Sequence, residues 1–173
     1  MCFSPRMNLR IAALAAIFTL GVAPSGKAGG KAEEIGKVTF HLQTDEGSNP
    51  KMIFSQTNDG KPPFFLRSPE ITMKDIVAFR PFPSGMGEEF GVVFQLKDSA
   101  KRHLAVVSIS SQGKYLLAQA NGRFVDCVMI DGPVEDGFIV IWKGLTLEEV
   151  KLFDKAMPRI GDDGKGKKKK KTK

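Results

Sequence analysis

Apolar and polar residues alternate at Val38, Phe40 and Leu42 against Thr39, His41 and Gln43, which predicts a half-buried strand. Asp45 to Pro50 is turn chemistry. Met52-Ile53-Phe54 and Phe64-Phe65-Leu66 then flank Asn58-Asp59-Gly60, and an Asp-Gly pair between apolar runs predicts a hairpin. Pro62 and Pro63 delay the return strand and place it at a sheet edge. From Ile76 to Phe82 the alternation resumes, with Ile76, Ala78, Arg80 and Phe82 on one side and Val77, Phe79 and Pro81 on the other. After a Gly85-Met86-Gly87 loop, Phe90 to Leu96 is a nearly continuous apolar strand.

Asp98 reads as an N-cap, and residues 99–112 as a helix ending at Gly113. Its stripe is imperfect: Ala100, Leu104 and Val107 share a face, while Val106 and Ile109 fall off phase. Tyr115 to Ala120 and Arg123 to Ile130 flank Asn121-Gly122, the pair a type I′ turn prefers because both residues tolerate positive φ. Asp131-Gly132-Pro133 turns the chain, and Gly137 to Trp142 gives another apolar strand. Thr146 to Glu149 forms a capping box that opens a second helix presenting Leu147, Val150, Leu152 and Phe153 before Pro158 stops it. The expected architecture is α+β, an antiparallel sheet with two helices packed on one face.

The ends of the chain differ from this middle. Arg6 and Arg10 precede an apolar run from Ile11 to Ala23, and Pro24-Ser25-Gly26 breaks it. The run is short of the roughly 20 residues a membrane span takes, and small residues follow it, so residues 1–28 read as a signal peptide cleaved after Ala28, or alternatively after Ala23. Residues 29–36 read as a linker, 37–160 as one domain, and 161–173 as a disordered lysine-rich tail with no apolar residue to offset its ordering entropy.

Partitioning the charge removes one function class. Of the formal +7, the signal carries +3 and residues 162–173 carry +5, which leaves residues 29–161 at −1. The basic pI belongs to the ends, so specific nucleic-acid binding by the folded domain is not expected. With Cys2 in the signal, Cys127 stands alone in the domain, which must then be stable through its core.

Catalytic and metal motifs fail on their surroundings. Ser84 lacks the leading glycine of a nucleophile elbow. Cys127 alternates with Val125 and Met129 and reads as a small core residue. His41 and His103 are far apart and have no ligand spacing. Gly161 to Lys168 imitates a phosphate loop, but Lys168 stands where a Ser or Thr must hold magnesium. The pairs Glu88-Glu89, Glu135-Asp136 and Glu148-Glu149 are adjacent in sequence, which does not set two carboxylates across a cleft. No catalytic, metal or cofactor residue is assigned, and the chain is expected not to be an enzyme.

Two features point to binding instead. Phe and Pro are dense between Phe54 and Phe94. Most of these rings serve the core, and Phe64, Phe65, Phe79 and Phe82 are the candidates for holding extended or unfolded polypeptide by strand addition and side-chain pockets. The other feature is the tail. Lys165, Lys167, Lys168, Lys169, Lys170, Lys171 and Lys173 could hold an anionic envelope surface with strong salt dependence.

Residues 75–156 resemble the first periplasmic head region of the SecD subunit of the protein-export machinery. Asp75-Ile76, Phe90 to Leu96, Gly113 to Ala118, Asn121-Gly122-Arg123, Ile130 to Ile141 and Leu145 to Val150 carry the resemblance. The family shows a like succession: a strand, a helix ending in Gly-Lys, a hairpin around Asp-Gly, and a helix opened by Phe-Thr-x-Glu-Glu-Ala. Here Asn121 replaces the usual Asp, and the proline that often follows in the next strand is absent at Asp126-Cys127-Val128. The sequence has no further apolar run that would supply SecD's transmembrane helices. The resemblance therefore implies an exported head-like module, periplasmic or extracellular, that binds unfolded polypeptide without driving its translocation. The alternative is an interaction protein that works through its polycationic tail.

Overall fold

A computed structural model of the chain describes residues 36–56, 64–85 and 87–162. The expected signal peptide, most of the linker, the Asn58-Asp59-Gly60 turn with Pro62 and Pro63, and the tail lysines lie outside the described residues. Among the described residues nine strands and two α-helices follow one another as β1 (Val38–Leu42), β2 (Ile53–Ser55), β3 (Phe64–Leu66), β4 (Ile71–Thr72), β5 (Ile76–Pro83), β6 (Phe90–Leu96), α1 (Asp98–Ser110), β7 (Tyr115–Ala120), β8 (Arg123–Met129), β9 (Phe138–Leu145) and α2 (Leu147–Ala156). All strand pairs are antiparallel. They form a four-stranded sheet ordered β4-β1-β7-β8, a three-stranded sheet ordered β5-β6-β9, and a two-stranded ribbon β2-β3.

Both helices bury their apolar stripes on the inner face of the two larger sheets. Ala100, Leu104 and Val107 of α1 and Val150 and Phe153 of α2 join one core with Phe40, Phe79, Phe94, Ile139 and Ile141. Val106 and Ile109, the residues off phase in the sequence, stay exposed. Four rings cross this core edge to face: Phe40 meets Phe94 at 6.2 Å, Phe94 meets Phe153 at 5.5 Å, and Phe153 meets Phe79 at 5.9 Å. Such pairs contribute about 0.5–1.5 kcal/mol each beyond the area they bury.

Local chemistry sets the ends of the elements. The β7-β8 hairpin turns through Asn121 (φ 52°) and Gly122 (φ 77°), both in the left-handed region that the type I′ turn requires. The Asn121 side chain accepts from the Lys37 N–H at 2.9 Å and so ties this turn to the start of β1. Thr146 caps α2: its hydroxyl accepts from the Glu149 N–H at 3.2 Å, and Glu149 Oε2 accepts from the Thr146 N–H at 2.9 Å. The first helix begins one residue earlier than its sequence signal, with Lys97 in the cap position and Asp98 in the first turn. There a carboxylate still favours the positive end of the helix dipole.

β1 extends the sheet beside β7, and the ribbon covers its other face. Phe65, Leu117 and Cys127 form a second small core there, with Phe54, Tyr115 and Phe124 packed around it. His41, expected on the polar side of its strand, is consequently buried at 7 % exposure. Its Nδ1–H donates to the Leu66 carbonyl at 2.8 Å, and its Nε2 lies 3.0 Å from the Thr39 hydroxyl, which can donate to the neutral ring. Burial lowers its pKa, partly countered by the Leu66 bond. Unfolded, the ring takes a proton near pH 6.5 and the folded ring resists it, so the unfolded state binds more protons as the pH falls. Stability contributed by His41 is therefore present above about pH 7 and lost as the pH drops through the window below 6.5. Urea midpoints from pH 7.5 to pH 5 should fall less in His41→Gln than in the wild type, and parallel curves would refute this coupling.

Candidate functional site

β8 and β9 are joined by residues 130–137 and lie side by side, yet no ladder connects them. At one end they are clamped. Asp126, 5 % exposed, accepts the Cys127 N–H on Oδ1 and the Trp142 N–H on Oδ2, each at 2.8 Å. Arg123 donates to the Gly144 carbonyl at 2.8 Å and to Glu149 Oε2 at 2.7 Å. Gly144 has φ 88°, and a Cβ there would lie 2.7 Å from the Val125 carbonyl oxygen, so only glycine allows this approach.

At the other end, nearer the connecting loop, the seam holds an apolar cavity of about 190 Å³. Phe40, Leu104, Leu116 and Ala118 line its depth, Val128 to Asp131 one wall, and Phe138 to Val140 the other. Met129, 49 % exposed, and Trp142, 58 % exposed, also line it and leave large apolar surface at the opening.

The four candidate phenylalanines do not gather at one place. Phe65 (1 % exposed) and Phe79 (0 %) are core residues that offer no ring to a ligand in this conformation. The cause for Phe79 is an irregularity in the β5-β6 register between Ile76 and Ala78, which shifts the alternation and turns Phe79 inward. Phe64 is half-buried on the ribbon and does not line the cavity. Phe82 is half-buried on β5, where its ring covers Gly91 and meets Trp142 edge-on at 6.1 Å. Thus one of the four contacts the rim of the cavity. Met129, Val140 and Trp142 escaped the sequence reading. The signal for them was the run Phe138 to Trp142, apolar at every position, which gives β9 more apolar surface than one core face needs.

Several of the residues considered for chemistry make structural contacts. Cys127 is buried at 5 % exposure. His103 pairs with Glu70 at 2.8 Å on the surface. Glu89 accepts the Gly144 N–H at 3.0 Å, and Asp136 accepts the Phe138 N–H at 3.0 Å. Among the described residues no group of His, Cys, Asp and Glu side chains is placed to hold a metal ion, and no helix is long and apolar enough to cross a membrane.

No protein-family model and no curated protein matches the chain. Solved structures do. One is SecDF, described as a membrane component that enhances protein export, at 18 % identity and a TM-score of 0.49 over 70 % of this chain and 62 % of that one. Another is SecDF in a super-membrane-facing form, at 19 % identity and a TM-score of 0.50 over 70 % of this chain and 19 % of that one. The chain thus spans less than two thirds of either. The likeness shows a SecD-like fold, in agreement with the resemblance of residues 75–156.

Proposed function

We propose that this SecD-like fold serves here as an exported, non-enzymatic module, periplasmic or extracellular, that binds extended or unfolded polypeptide at the groove between β8 and β9. The observation that supports this reading is an apolar cavity opening between two strand edges, with Met129 and Trp142 exposed at its mouth. Pockets of this kind in a sheet edge suit side chains of an extended chain, whose main chain can bond the edge itself. The module acts by holding a segment.

The test is binding of a fluorescent unfolded polypeptide to the full-length protein and to a form lacking residues 162–173, at low and high salt. Binding that survives both the deletion and about 0.5 M salt is expected, because the groove is apolar and salt screens only charge. Binding abolished by salt or by the deletion would overturn the groove and assign the activity to the polycationic tail acting on anionic partners.

A further inference from the structure

The walls of the groove specify more than apolarity. Ile130, just past β8, exchanges amide bonds on the β7 side: its N–H donates to the Lys114 carbonyl and its carbonyl accepts the Gly113 N–H, both at 2.8 Å. Successive residues of a strand direct their amide groups to opposite sides, so Met129 directs its N–H and C=O toward β9. On the facing wall, the Trp142 N–H reaches across to Asp126. Val140, two residues earlier, directs its amide groups the same way, toward β8. No ladder between β8 and β9 uses these groups. A compact apolar ligand would fill the cavity and leave them idle, whereas a polypeptide main chain offers donors and acceptors at matching spacing.

Charge adds a direction. Residues 131–137, which close the cavity end of the seam, carry Asp131, Glu135 and Asp136 and no cation. Asp131 itself lines the cavity. Lys101 packs its aliphatic stem against Gly137 at this end.

We infer that the seam takes one extended segment as an added strand, its main chain bonded at Met129 or Val140, a large aliphatic or aromatic side chain in the cavity over Phe40 and Leu104, and a basic residue beside the apolar stretch at the 131–137 loop. This rests on the polypeptide-binding reading and fixes its mode and the chemistry of the segment. Proline at the bonding position of the segment is excluded, because it brings no N–H.

Trp142 is the single tryptophan of the chain and stands at the mouth, so the protein carries its own reporter. The full-length protein is titrated with a lysine-flanked peptide of alternating leucine and threonine, and with the same peptide flanked by glutamate. Saturation is expected to shift Trp142 emission to the blue and to slow amide exchange at Met129, Val140 or both by about 100-fold when the peptide is at 100 times its Kd. Val140→Pro and Met129→Pro each remove one seam-facing N–H without removing a ladder bond, and the one on the bonded wall should weaken binding about five-fold. The lysine-flanked peptide should bind about three-fold tighter at low salt, with the difference gone near 0.5 M.

Peptide binding that leaves both amides exchanging freely, or that neither proline variant weakens, would overturn strand addition while leaving polypeptide binding intact. If either variant fails to fold, the exchange data decide. Equal affinity for the two peptides at low salt would overturn the basic flank. Failure of every peptide and of unfolded polypeptide alike would overturn the function on which the inference rests.

Discussion

Phe153→Ala is expected to destabilise the protein by about 3–5 kcal/mol, the cost of removing a fully buried ring and leaving a cavity that collapses only in part. Phe153 is 0 % exposed, meets Phe94 and Phe79 edge-on, and lies so close to Gly36 that a Cβ there would be 2.8 Å from the ring. Its ring brings α2 against Phe79 and Phe94 of the three-stranded sheet, and Phe94 in turn meets Phe40 of the four-stranded sheet. Against a total stability of about 5–15 kcal/mol the loss is a large share. Urea unfolding of Phe153→Ala and Phe153→Leu measures it, with the leucine variant expected to lose much less. A change under about 1 kcal/mol for alanine would mean that the two sheets do not depend on this ring.

Asp126→Ala is expected to cost about 2–4 kcal/mol, because the Cys127 and Trp142 amides lose their acceptor inside the protein, where no ladder replaces it. Asp126→Asn tests the geometry more finely. One of its two positions becomes an N–H facing another N–H, so the variant should sit between wild type and alanine in urea midpoint. A neutral Asp126→Asn would show that one oxygen suffices. A neutral Asp126→Ala would show that water or a new β8-β9 ladder serves both amides.

These two positions mark the limits of the sequence. The alternation at 38–42, the Asn121-Gly122 turn, the Thr146 to Glu149 box and the Leu104 stripe were legible because each is set by neighbours within a few residues. Phe79 was assigned to the wrong partners, since one register irregularity in β5 reverses every face beyond it and leaves no compositional mark. His41 read as polar-facing because the ribbon that covers it comes from residues 53–66, a contact period two cannot announce. Asp126 looked like an ordinary polar position in an apolar strand. That it stands in for a missing ladder depends on Trp142, which only the folded chain brings near. The candidate groove was the least legible part, being made of the space between two strands rather than of any motif.

The treatment of the other sheet edges bears on how the molecule behaves when concentrated. Beyond α2 the chain returns along β5: the Phe79 N–H donates to the Pro158 carbonyl at 3.1 Å and the Phe79 carbonyl accepts from the Ile160 N–H at 2.8 Å. Arg159 is anchored there by a forked pair with Asp154 and stacks over Phe79 at 5.9 Å. Past this strap Pro81 and Pro83 bring no amide hydrogen, and on the four-stranded sheet β4 is only two residues long. Edges shortened or blunted in these ways are poor templates for a neighbouring copy. With the β5 and β4 edges blunted, a molecule that accepts a strand at the β8-β9 seam has little on these two edges with which to extend a stack, so filled seams should yield discrete complexes and not fibres.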